Sequence, residues 1–187
     1  FAWAVYRHGV NQPFNYYAAF DPVTHGAERS AHLKDYDDLV ADAAAGTLPS
    51  VAFYKPEGVY NQHEGYANLT DGDAKIADLV SKLQASPQWK NMVIVITYDE
   101  FGGVWDHVSP PAGDLLGPGT RIPAIIVSPL AKKGTVDHTP YDTASILRLI
   151  TRRFGLDTLP GLTARDKVLK ANGAQAMGDL TNALNLQ

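Results

Sequence analysis

The chain has 187 residues, 45% of them apolar, 10% aromatic and 19% charged. A chain this long buries roughly 70% of its unfolded surface, and its composition excludes a disordered, collagenous or coiled-coil protein. The 16 basic and 20 acidic residues leave a net charge of −4, which excludes the basic footprint of a nucleic-acid partner or of a protein held on an anionic membrane.

No cysteine is present, so disulfides, thiolate metal sites and thiol nucleophiles are excluded as well. The longest apolar runs, Met92 to Ile96 and Ala124 to Val127, fall far short of the ~18 residues of a membrane span, so no transmembrane segment is expected. The first residues, Phe1-Ala2-Trp3-Ala4, carry neither an initiator Met nor a signal-peptide pattern, which leads us to expect a polypeptide continuing upstream.

In chain order, Asp35 to Ala45 predicts a helix stopped by Gly46, and Leu48 to Tyr54 predicts a short apolar strand. A second helix is expected from about Asp73 to Ala85, capped by Asp71, with Ile76, Leu79, Val80 and Leu83 on one stripe. Met92 to Tyr98 is β-branched and apolar on both faces, the pattern of a central strand covered by helices on each side. A Gly- and Pro-rich connection leads to a further strand, Ile122 to Ser128. A helix is expected to open at Thr139-Pro140, bury Ile146, Leu149, Ile150 and Phe154, and stop at Gly155. Ala174 to Leu184 reads as a short amphipathic helix. Alternation of helices and strands predicts one α/β layered domain with a mostly parallel central sheet flanked by helices, its functional loops beyond the carboxyl ends of the strands.

The chemistry concentrates on those loops. Asp99-Glu100 leaves the central strand and runs into Phe101-Gly102-Gly103, where two glycines permit a sharp turn. Adjacent carboxylates repel, and a divalent cation held by hard oxygens relieves that repulsion; a solvated turn is the plainer alternative. His8, His63, His107 and His138 each fall on a predicted loop, where an imidazole can ligate a metal, donate to a phosphoryl oxygen or protonate a leaving group. His25 and His32 sit in polar sequence and read as surface residues. Arg121 is expected to pair with a nearby Asp rather than clamp an anion. GxSxG, the phosphate-binding P-loop, HExxH and GxGxxG are all absent.

The run Thr97-Tyr98-Asp99-Glu100-Phe101-Gly102-Gly103-Val104-Trp105-Asp106-His107-Val108 resembles the signature of the bacterial phosphoesterase family that contains acid phosphatases and phosphatidylcholine-type phospholipases C. Gly117 to Pro123, Val136 to Thr143, Asn11 to Tyr16 and Asn61 to Tyr66 agree with it, the last two being closer to the acid phosphatase branch. The resemblance implies an alkaline-phosphatase-like α/β fold and a secreted or periplasmic bacterial enzyme that hydrolyses a phosphate-ester substrate with one or more divalent metal ions. It implies that Asp99 and Glu100 bind metal and that His63 contacts the phosphoryl group. His8 falls where the family has a histidine pair, with Arg7 in the first position; a guanidinium can also bind phosphate oxygens.

The family's nucleophile and its first metal ligands lie upstream of the residues matched here. Residues 1–187 therefore resemble the carboxyl-terminal part of a single phosphoesterase domain, incomplete for catalysis without the upstream portion of the same polypeptide. The expected mechanism has His63 and His8 donating to the phosphoryl oxygens and His107 or His138 protonating the departing alkoxide. An acidic optimum follows if these act as cations, since an unperturbed imidazole titrates near pH ~6.5. The rival reading is a non-catalytic α/β module, or a processed fragment, that binds a metal or an anion.

Overall fold

The computed structural model describes residues 3–7, 31–110 and 117–186, which fall into two compact units, one up to Lys90 and one from Asn91. The first unit contains strands β1 (Trp3–Arg7), β2 (Leu33–Lys34) and β3 (Val51–Lys55) and helices α1 (Tyr36–Ala45) and α2 (Leu69–Gln84). β1 lies between β2 and β3 and runs parallel to both, with Val5 opposite Leu33 on one side and Phe53 on the other. Parallel neighbours need a crossover, and α1 supplies the one from β2 to β3.

α1 begins and ends where its residues predict. At its start the Asp35 amide donates to the Asp38 carboxylate at 2.9 Å. At its end Gly46 turns the chain at φ 72°, a left-handed conformation that costs a glycine little. Leu39 and Ala43 are buried where α1 packs on β1 and α2. β3 starts three residues later than expected. The approach to it is held by Gln88, whose side chain accepts from the Leu48 amide at 2.9 Å and donates to the Leu48 carbonyl at 3.1 Å.

α2 starts four residues earlier than expected, and its cap is Asn68 rather than Asp71. The Asp71 amide donates to the Asn68 side-chain oxygen at 2.7 Å, and the Asn68 amide group donates back to the Asp71 carboxylate. The expected stripe is present, with Leu79 and Leu83 buried and Ile76 and Val80 half-buried.

The second unit contains β4 (Ile94–Thr97), β5 (Ala124–Val127), α3 (Ala144–Phe154) and α4 (Pro160–Ala171). β4 was expected as a covered central strand of a parallel sheet. It pairs instead with β5 in antiparallel register, Ile94 opposite Val127 and Thr97 opposite Ala124. No helix lies in the described part of the connection between them, and an antiparallel partner requires no crossover. The residues of β4 are half-buried and Ile125 of β5 is exposed. Two side chains close the ends of the pair: Thr97 donates to the Pro123 carbonyl at 3.0 Å, and Ser128 donates to the Met92 carbonyl at 2.7 Å.

α3 begins at Ala144, later than Thr139-Pro140 predict, because that dipeptide is engaged elsewhere. The Pro140 carbonyl accepts from the Gly178 amide at 2.8 Å, and the Thr139 hydroxyl accepts from Asn182 at 2.9 Å. Asp142 and Ser145 then open the helix reciprocally, each side chain accepting from the other's backbone amide at 3.1 Å. Its C-terminus is Gly155, as expected.

α4 was not anticipated. Its signals are Pro160 at the first turn and the buried Leu162 and Leu169, seven residues apart on one face. Arg148 of α3 donates twice to Asp166 of α4, 2.9 Å each, and joins the two helices. The tail is not the helix expected over 174–184. It is irregular up to a single helical turn at Thr181–Ala183. Met177, Leu180 and Leu184 are buried one by one along it; their spacing of three and four is that of a helical stripe, although the path they follow is not helical.

Candidate functional site

Parallel strands deliver their carboxyl ends to the same edge of a sheet, and that edge is where α/β proteins place binding loops. In the first unit Arg7, the last residue of β1, is in register with Lys55, the last of β3. His8 follows directly and lies outside the described residues. The loop that leaves β3 carries His63.

That loop is built by its own side chains. The His63 amide donates to the Asn61 side-chain oxygen at 2.8 Å, and the Asn61 amide group donates to the Tyr66 hydroxyl at 2.9 Å. The imidazole stacks on the Tyr66 ring, centroids 4.7 Å apart and planes 18° from parallel. Nδ1 lies 2.6 Å from the Glu64 carbonyl. Gln62 adopts φ 62°, rare for a residue with a Cβ, and its side chain donates to the Leu69 carbonyl at 3.1 Å, the first residue of α2.

α2 receives the loop through a glycine. A Cβ on Gly72 would stand 2.3 Å from Gln62 Cγ and 2.9 Å from the Tyr60 carbonyl oxygen, so only a residue without a side chain lets the loop approach this closely. Asn61, Gln62, Tyr66 and Gly72 as a supporting set were not apparent from the sequence. The available signal was an Asn two residues before the His, the usual spacing of a side chain that caps its own turn.

In the second unit Asp99 and Glu100 follow β4, and both are exposed. Glu100 turns back so that one of its oxygens accepts from the Gly102 amide. Gly102 and Gly103 take φ 64° and 72°, two successive left-handed residues that a pair with side chains would resist. Past this turn Trp105 is 76% exposed and meets the His107 ring edge-on at 4.6 Å.

Arg121 makes the pairing that its position predicts. Its Nε and one Nη each donate to Asp106 at 2.7 Å, a bidentate clamp across the base of the long connection. The Arg121 guanidinium, then the Val108 amide, hold the Asp106 carboxyl well below the usual carboxylate range.

The Asp-His neighbours do not act as orienting pairs. Asp106 is engaged by Arg121 and Val108, not by the His107 ring. Asp137 accepts from the Tyr141 hydroxyl and the Thr139 amide, bonds that lower its pKa and fix the turn around His138. Burial, then the bond to Asp137, pushes the Tyr141 phenol up to about 12.

Two hard carboxylates suit a divalent cation in kind but not in number, since such ions take roughly six or more oxygen ligands. Among the described residues no three His, Asp or Glu side chains gather as a metal cluster would. Asp99 and Glu100 by themselves do not complete such a site.

A family model described as the phosphoesterase family matches residues 1–157, a stretch that takes in both the histidine loop and the acidic turn. The chain is a member of the phosphoesterase family. Phospholipase C A of Mycobacterium tuberculosis is 26% identical over 98% of the chain and 41% of its own length. Non-specific phospholipase C6 of Arabidopsis thaliana is 32% identical over 72% of the chain and 32% of its own length. The non-hemolytic phospholipase C of Burkholderia pseudomallei is 30% identical over 89% and 27% respectively. The phosphoesterase chain thus spans well under half the length of these relatives. Among its described residues no helix is long and apolar enough to cross a membrane.

Proposed function

We propose that this phosphoesterase chain forms the carboxyl-terminal part of a bacterial phosphate-ester hydrolase that works outside the cytoplasm. The observation that carries the reading is the family match over residues 1–157, which includes the acidic pair at the end of β4 and the histidine loop after β3. The phospholipase C names of the relatives support a phosphodiester substrate beside the monoester of an acid phosphatase. In this reading the whole enzyme has an alkaline-phosphatase-like fold around a mostly parallel sheet, and a segment upstream of Phe1 provides the nucleophile and the first metal ligands.

Asp99 and Glu100 would hold a divalent cation, which supplies positive charge to the ester and lowers the pKa of a hydroxyl nucleophile. His63, and His8 with Arg7, provide hydrogen-bond donors for the phosphoryl oxygens, where negative charge builds during in-line displacement. His107 or His138 gives a proton to the leaving alkoxide.

Hydrolysis of p-nitrophenyl phosphate and p-nitrophenyl phosphorylcholine tests this, measured with the chain alone and with the upstream segment supplied separately. Turnover in the mixture alone is the expected result. Absence of turnover in both, with divalent cation bound, overturns the enzymatic reading and leaves the binding module.

A further inference from the structure

The loop between β3 and α2 decides which ring nitrogen of His63 carries the proton. A backbone carbonyl accepts hydrogen bonds and cannot donate one, so the 2.6 Å contact between Nδ1 and the Glu64 carbonyl requires hydrogen on Nδ1. In the neutral ring the lone pair is then on Nε2. A ring that takes a second proton takes it there and can give it up from there.

The ring is held at this carbonyl from two sides. Stacking on Tyr66 sets its plane, and a single residue, Asn61, ties both ends of the arrangement: its side-chain oxygen accepts from the His63 amide and its amide group donates to the Tyr66 hydroxyl. Ala67 closes the turn by donating to the His63 carbonyl at 3.1 Å. Gly65, at φ 88°, lets the chain come round to bring Tyr66 beneath the ring.

We propose that Asn61 and Tyr66 are positioning residues that hold His63 as the Nδ1–H tautomer, making Nε2 the nitrogen presented to the phosphoryl group. The proposal rests on the reading of His63 as a phosphoryl contact, and it adds the reactive atom and the residues that select it. Because one net hydrogen bond shifts an equilibrium by about fivefold, a preference of that order is expected for Nδ1–H over Nε2–H.

Long-range proton–nitrogen NMR of the His63 ring in the 187-residue chain reads the tautomer without substrate. The expected result is Nδ1–H in the wild type, a shift toward Nε2–H in Tyr66→Ala and Asn61→Ala, and partial recovery in Tyr66→Phe, which keeps the stacked ring but loses the hydroxyl that accepts from Asn61. A wild-type ring found as Nε2–H, or evenly mixed, overturns the proposal before any variant is made. So does a preference that neither substitution changes.

Hydrolysis by the complete enzyme separates this from the functional reading. There Tyr66→Ala should lower kcat with KM nearly unchanged, whereas Tyr66→Phe should lower it less. A tautomer that responds as described, in an enzyme indifferent to His63→Ala, upholds the positioning frame and removes the phosphoryl role of His63.

Discussion

The histidine loop of the first unit and the acidic turn of the second follow strands in the same way, yet they are shaped by different means. The loop around His63 is fixed by side chains, since Asn61, Gln62 and Tyr66 each hold a neighbour and Gly72 of α2 makes room for them. The turn after β4 is made by backbone freedom at Gly102 and Gly103 and is secured farther on by the clamp between Arg121 and Asp106. A side-chain frame aims one ring. The glycine turn leaves both carboxylates exposed, with Glu100 folded back onto the Gly102 amide.

The most severe way to break this comparison is to remove the charge from the turn. Asp99→Asn combined with Glu100→Gln should reduce hydrolysis by the complete enzyme by at least ~100-fold and abolish binding of a divalent cation in calorimetric titration. The first unit should melt as before. Equal loss of cation binding from a chain altered at His63 alone would show that the two regions do not have the separate roles assigned to them.

A smaller but still large effect is expected from Gly72→Ala. The added methyl meets the Tyr60 carbonyl as well as the flexible Gln62 side chain, so relief requires backbone movement and should cost about 1–3 kcal/mol in denaturant unfolding. The NMR signals of His63 should shift, whereas those of Trp105 in the other unit stay in place. An unchanged His63 signal would mean that α2 does not support the loop.

The smallest effect concerns pH. A carboxyl held below its usual range contributes stability that is complete above the unfolded value near ~3.9 and is lost as pH falls through the lower folded value. Asp106 is such a group. The clamp should therefore stay closed across the mildly acidic range, with the Val108 amide signal constant from neutral pH down to about pH 4.5. Arg121→Ala should move that signal at every pH. A transition centred above pH ~5 in the unaltered chain would contradict the clamp.

Several features were legible in the residues because they depend on neighbours in sequence. α1 could be bounded from Asp35 and Gly46, and the stripe of α2 from the spacing of its leucines, because caps and helical period are local. The turn after β4 was visible as an acidic pair followed by two glycines. Arg121 was expected to pair with a nearby Asp; its partner is an Asp, but one fifteen positions away, so the kind of partner was legible and its identity was not.

One cause of misreading was that a distant segment claimed a group the local pattern had already used. Thr139 and Pro140 look like a helix start, yet Asn182 and Gly178 from the tail occupy them, and the helix opens at Asp142 and Ser145. The tail has helical spacing, yet its apolar residues are buried singly along an irregular path. β4 reads as a strand for a parallel sheet, but strand residues do not specify their partner, and the nearest one in chain order, β5, returns antiparallel.

The sequence by itself determined the α/β class, the position of the acidic turn and of the histidine loops, and the family, because each is written in residue type and short-range spacing. Tertiary structure alone decided which strands pair and in what direction, what Gly72 makes room for, and which tail residues occupy Thr139 and Pro140. Those outcomes depend on hydrogen-bond partners and close contacts that exist only once segments far apart in the chain have met.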